Sequence, residues 1–512
     1  MSNTRYGLGG LLALALMAES GAASANGRYP PAANDIVFNR ADPNHMLLRT
    51  TFGFLQTRDG GENWDWICER GTGNPDNLAY DPPIALMGDG TAVISVTFGG
   101  ARTSGDFCNW APPPFALSDK LVVDSTWIPN DPAGALLLTS NWSEFGYVNV
   151  IWTTRDNART WLPKNVQGDP RAFMHTVEVA PSNTSRIYVT GSYYRPTGDS
   201  GLSERVGQFL RSNDGGVTWT TFDLQLPGNG PAGLNDASAF ISGIDPTNAD
   251  RVYLRVAHRN DPKADGASPT TLRVTHDGGA TWHDVFSTDS ACFGEFPGML
   301  GFALSPDGRT IVLGGQFGIY SGPAPTPASP NVQFTKISDV KNRCLRWASS
   351  GIYACGQQPE DPFTLARSTD GARTFKALLR REDDVCPLSC PSGSPVQNTC
   401  PGAWNNASIP SLSISYLISA NETCCGAAST QTSCRWPSGP TYGGGDVGAT
   451  CPSSGPSQGC GSSAATATIA GCSMRNAGFA APGLLGVVGG LMLAWRRRRR
   501  RRSNSGTGVS AR

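Results

Sequence analysis

Hydrophobic positions alternate with polar ones over short runs, and the runs return at near-regular intervals between about residue 34 and residue 385. One unit reads clearly. Ala239 to Pro246 is an apolar-polar run stopped at a proline, Arg251 to Val256 is a second, Thr271 to Thr275 a third and Trp282 to Phe286 a fourth. Period-two alternation predicts half-buried strands, and runs this short predict four-stranded antiparallel sheets. The same proline stop recurs at Asp42-Pro43, Ala180-Pro181 and Ser305-Pro306, where a residue lacking an N–H ends ladder pairing and opens a turn.

Between the third and fourth runs lies a recurring octet. It is Thr57-Arg-Asp59-Gly-Gly61-Glu-Asn-Trp64 in one copy and Thr275-His-Asp277-Gly-Gly279-Ala-Thr281-Trp282 in another. Further copies centre on Asp156, Asp214 and Asp370, and a copy one residue short centres on Asp106. The hydroxyl and carboxylate supply acceptors to nearby N–H groups, Gly admits the left-handed backbone, and Trp covers the turn. Each Asp is therefore expected to pin a turn rather than act as a catalytic acid. The interval from Asp277 to Asp370 is nearly double the others, so one unit has lost its octet, between Phe317 and Ile337. The expected fold is all-β: a seven-bladed β-propeller of four-stranded antiparallel blades over 34–385.

The octet resembles the Asp-box, or BNR, repeat. That resemblance implies the propeller superfamily of sialidases, other glycoside hydrolases, sortilin-like receptors and assembly factors. Gly27-Arg28-Tyr29-Pro30 stands where a sialidase would carry Arg-Ile-Pro, and seven units exceed the six that sialidases resemble. A seven-bladed xyloglucan hydrolase would pair two propellers, and one is present.

The ends read as addresses. Residues 1–25 have a charged start, an apolar run and Ala23-Ser24-Ala25, which predicts a secretory signal cleaved after Ala25. Residues 476–495 are uncharged and long enough for one transmembrane helix, and seven arginines follow in an Arg-rich tail, 496–512, expected on the cytoplasmic side. With Gly471-Cys472-Ser473 ahead of them, these parts resemble a myxobacterial C-terminal sorting signal, which implies processing and lipidation at Cys472. The chain is thus expected to be exported and held at the cell surface by the helix or a lipid.

Charge removes one class of function. Nine of the 41 basic residues lie at or after Arg475, with none of the 41 acidic ones, so the body is net acidic and no nucleic-acid partner is expected. Of 14 Cys, nine crowd into 386–473, a Ser/Gly/Pro-rich stretch read as a disulfide-pinned stalk. Cys344 and Cys355 flank a hairpin, and Cys68 with Cys108 is a candidate link between neighbouring units. No metal site and no cofactor are expected.

Candidate binding residues come from the face opposite the octets. The segments 191–207 and 257–270 read as enlarged loops of adjacent blades and contribute Tyr193, Tyr194, Arg195, His258 and Arg259. His175, Asp236, Glu295 and Arg343 precede or enter inner strands and are expected at the central funnel. The mixture fits a glycan or protein ligand. Asp236 and Glu295 are the weak candidates for paired catalytic carboxylates in the second reading, a glycoside hydrolase of sialidase-like or xyloglucanase-like kind.

Overall fold

The computed structural model describes residues 32–74, 81–96, 98–112, 114–197, 202–226, 237–258, 269–288, 293, 297–357, 361–380, 385–404, 441–443 and 450–451. Ala25, Asp236, Arg259, Glu295 and Cys472 lie outside these residues, as do the expected signal and the 476–495 segment. Among the described residues no helix is long and apolar enough to cross a membrane.

The described chain forms seven antiparallel sheets in sequence order, spanning 33–67, 84–104, 122–165, 173–224, 238–287, 299–338 and 344–379, here blades 1 to 7. The inner strands are Ala33–Phe38, Ile84–Leu86, Val122–Trp127, Phe173–Val179, Ser238–Ile244, Met299–Leu304 and Cys344–Ala348. Each packs against the next, and the last returns to the first, so the seven close into a ring. Alternation explains the packing. Buried residues of adjacent blades meet as sheet-on-sheet layers, for example Val177 and Val189 against Leu136 and Leu138.

Six blades have at least four strands, while blade 2 has three among the described residues. Pro112 and Pro114 stand where its fourth strand would run, and without N–H groups there only Ala111 pairs, its N–H donating to Thr103. Blade 6 is the unit without an octet: its third strand ends at Pro323 and its fourth begins at Phe334.

The octets act as turn pins. Oδ1 of Asp277 accepts from the Thr275 hydroxyl at 2.7 Å and from the Ala280 and Thr281 N–H groups at 2.9 Å, while Oδ2 accepts from the Thr281 hydroxyl at 2.6 Å. Gly278 and Gly279 carry φ of 70° and 110°. In the Asp156 and Asp370 copies the second Gly is Ala158 or Ala372, at φ 63° and 67° and almost fully buried. Left-handed backbone costs an L-residue roughly 1–2 kcal/mol, and burying the methyl returns about 0.8 kcal/mol, which leaves these copies tolerable.

The cysteines correct one expectation. Cys68 and Cys108 do not join each other: Cys68 pairs with Cys400 and Cys108 with Cys390, while Cys344 pairs with Cys355 across its hairpin. Both Cys68 and Cys108 lie at the outer edges of their blades, where the helix Pro395–Trp404 and its approach pass. The described pieces of the expected stalk lie on the propeller. Cys386–Pro387 extends blade 1, Thr441–Gly443 blade 7 and Thr450–Cys451 blade 6. Three disulfides among the described residues fit an extracytoplasmic protein.

Candidate functional site

In an antiparallel blade, first-to-second and third-to-fourth turns share one end, so the octets lie opposite the second-to-third hairpins. At the hairpin end, rings from blades 3, 4 and 5 form a continuous series. Trp142 meets Tyr147 at 5.2 Å between ring centroids, Tyr147 meets Phe173 at 5.4 Å, Phe173 meets His175 at 5.6 Å and His175 meets Phe240 at 5.4 Å. The Arg255 guanidinium lies 5.0 Å from the Phe240 centroid. Trp142 and Phe145 are 50% and 90% exposed, so the outer end of the series faces solvent.

Local backbone places these rings. In blade 3 the second and third strands, Ala135–Ser143 and Gly146–Thr154, are nine residues each and carry the hairpin out to the mouth, with Trp142 opposite Tyr147. Gly146 is required there: at φ 114° a Cβ would lie 2.3 Å from the Pro170 carbonyl, to which the Tyr147 N–H donates. His175 is the extra residue of a bulge between Met174 and Thr176, and bulges re-aim side chains. Similar irregularities fall in four other inner strands, at Ala33/Asp35, Val122/Asp124, Ile241/Gly243 and Met299/Gly301.

A polar cluster backs the rings. His175 Nε2 is 2.8 Å from the Ser192 hydroxyl, and burial, then the nearby Arg205 charge, push its pKa down to about 3, so the ring is neutral. Buried Arg205 donates to the Tyr194 hydroxyl at 2.5 Å and to the Ser238 hydroxyl, and its guanidinium lies over the Tyr194 ring. The segment 191–207 is largely strand rather than loop. Ile187–Thr197 and Leu202–Ser212 pair over eleven residues. Tyr193 is buried beneath Arg171, 4.2 Å from the ring centroid, and Tyr194 points to the other face, 39% exposed. Arg195 is paired with Glu204 and Arg171 with Asp169.

The remaining sequence candidates lie apart. His258 is buried at the end of its strand, with Nε2 3.0 Å from the Thr271 hydroxyl. Arg343 serves the seam between blades 7 and 1, donating to Asn34 Oδ1 and Gln357 Oε1, both at 2.8 Å.

Inside the ring is a charge network that sequence reasoning missed. Asp35, Asp124, Glu178 and Arg346 come from the inner strands of blades 1, 3, 4 and 7 and interact electrostatically. Arg346 donates to Asp35, Glu178 accepts from the Thr126 hydroxyl at 2.8 Å, and Asp124 accepts from the Val177 N–H at 2.8 Å. Burial, then the Glu178 charge, push Asp124 up to about 8, and burial raises Glu178 as well. Burial would raise Asp35 too, but Arg346 and Arg49 outweigh it and hold that carboxyl low. A neutral acid therefore stands beside an ionised carboxylate. Among the described residues no His, Cys, Asp and Glu cluster could hold a metal ion.

At the octet end, an open cavity of about 450 Å³ lies between blades 2 and 3, walled by Thr91, Thr103, Asp106, Asn109, Asn157 and Arg159. Asp106 and Asn109 are bonded to each other and Arg159 is paired with Asp89. The hairpin end therefore offers the better recognition surface.

The chain matches no known family model and no curated protein. Among solved structures it is similar to an ancestral GH74 enzyme, at 13% identity over 69% of this chain and 45% of that one, with TM-score 0.46. It is also similar to YCF48 from Cyanidioschyzon merolae, at 16% over 64% and 92%, TM-score 0.38. A GH74 xyloglucanase from Xanthomonas campestris matches at 13% over 70% and 64%, TM-score 0.40. The chain spans less than two thirds of either GH74 protein. These likenesses concern the propeller fold alone.

Proposed function

We propose that this chain is an exported propeller that binds a glycan across the hairpin end of blades 3 to 5. The ring series from Trp142 to Phe240 carries the reading. Ring faces stack on the apolar faces of sugars, and the hydroxyl, imidazole and guanidinium groups behind them supply direction. A glycan array with the full chain tests it. Trp142→Ala and Phe240→Ala should each weaken the retained glycan roughly tenfold, the scale of one lost ring contact. Retention of a protein and no glycan, unaffected by either change, would remove the glycan reading. Attachment at the cell surface, through 476–495 or a lipid on Cys472, belongs to the same proposal and rests on the sequence pattern; cell fractionation tests it.

A second reading, glycoside hydrolysis, is favoured by the Asp124–Glu178 pair. Two carboxyls on neighbouring inner strands, one of them held protonated at neutral pH as a general acid must be, are the minimum that such chemistry uses. It expects turnover of a glycoside that Glu178→Gln abolishes while retention on the array persists.

A further inference from the structure

The segment after blade 7 is fastened across two other blades. Val385 joins the core of blade 1, Cys386–Pro387 pairs in parallel with Asp65–Ile67, and the Leu388 N–H donates to the Trp66 carbonyl at 2.8 Å. The helix Pro395–Trp404 then lies on the tight turn Glu69–Thr72. Contact there is close: a Cβ on Gly71 would lie 2.9 Å from Cys400 Sγ and 3.0 Å from Val396 Cγ2. Cys68–Cys400 and Cys108–Cys390 bridge 332 and 282 residues.

These cross-links differ in access. Cys68, Cys400 and Cys355 are fully buried and Cys344 nearly so. Cys390 is half-buried, on a segment whose Ser389 and Pro391 to Gly393 are exposed. A thiolate must reach a sulfur directly to open a disulfide, so access orders their reduction.

We propose that Cys108–Cys390 is a redox-labile latch, opened by an external dithiol while Cys68–Cys400 and Cys344–Cys355 hold. The reagent thiolate attacks Cys390 Sγ, and Cys108 leaves as a thiolate and takes up a proton. The reagent's second thiol then displaces Cys390 from the mixed disulfide. Two electrons pass to the protein sulfurs and the reagent departs as a cyclic disulfide. Opening frees the approach to the helix from the octet turn of blade 2. Cys108 lies between Asp106 and Asn109, which wall the cavity of about 450 Å³, so the state of the latch sets the shape of that cavity.

The test exposes the oxidised full chain briefly to dithiothreitol, followed by alkylation with mass tags and peptide mapping. Cys108 and Cys390 should be tagged together, about tenfold or more faster than Cys68, Cys400, Cys344 and Cys355, with the circular dichroism of the sheets unchanged. Tagging of either buried pair first, or of all three pairs at one rate, overturns the latch. The double variant Cys108→Ser with Cys390→Ser gives a second reading. It should stay folded and become cleavable by protease within 388–394. Unchanged protection of that stretch, or loss of the fold, also overturns it.

Discussion

Arg346, on the inner strand of blade 7, donates through Nε and Nη2 to Oδ1 of Asp35 on the inner strand of blade 1, at 3.2 and 2.9 Å. The inner strands of the first and last blades pack on each other, so this pair bonds across the seam where the ring closes. Removing the cation leaves Asp35, Glu178 and Asp124 facing one another. Arg346 is 47% exposed, which moderates the effect. Arg346→Met is expected to lower unfolding free energy by roughly 1–2 kcal/mol, read as a lower urea midpoint at constant slope. An unchanged midpoint would show that the seam does not depend on this pair.

Asp124 gives the molecule a pH dependence of definite sign. Its carboxyl ordinarily titrates near 3.8 and in the folded channel near 8, so the folded state holds a proton that the unfolded chain releases. Its contribution is most favourable below about 4, declines as pH rises toward 8, and is flat above that. Asp124→Asn cannot ionise and still offers an oxygen to the Val177 N–H. The variant should flatten the stability profile between pH 5 and 8 and exceed the native chain at pH 8. Equal slopes in denaturant titrations would contradict the protonated acid.

The octet aspartates should matter for stability and not for ligand. Asp277→Ala deletes the acceptor of four hydrogen bonds and is expected to cost about 1–3 kcal/mol, at the lower end because the turn is exposed. Burial alone would raise the Asp277 carboxyl, yet the Thr281 and Thr275 donors hold it down at about 2. Its contribution is therefore present above about 4 and lost as pH falls through about 2. Glycan retention measured below the variant's melting temperature should be unchanged.

His175 is neutral across the physiological range, since its pKa lies near 3. Ligand affinity should be flat from pH 5 to 8. A titration step near pH 6.5 in a binding isotherm series would show that the imidazole meets water rather than Phe173, Phe240 and Ser192.

The blade count was readable because octet chemistry is local. Ser or Thr, Asp and Gly within a few residues satisfy one turn's own N–H groups, and the interval between copies measures one sheet. The hairpin end was readable as a side of the molecule, and His175, Tyr193 and Tyr194 do lie there. Trp142, Tyr147, Phe173 and Phe240 gave no signal, since each is an ordinary aromatic on an ordinary strand.

Sequence alone settled what depends on neighbours along the chain: the all-β class, seven units, the role of each octet aspartate and the missing octet of blade 6. Only the closed ring decided what depends on neighbours across it. Closure brings Asp35, Asp124, Glu178 and Arg346 from four blades within electrostatic reach of one another. A one-residue bulge turns His175 toward Phe240, and the crossing of the C-terminal segment gives Cys68 and Cys108 partners about 300 residues away. Turn chemistry acts over a few bonds and leaves a pattern in the chain, whereas burial, charge coupling and disulfide partnership are set by distances that exist only after folding.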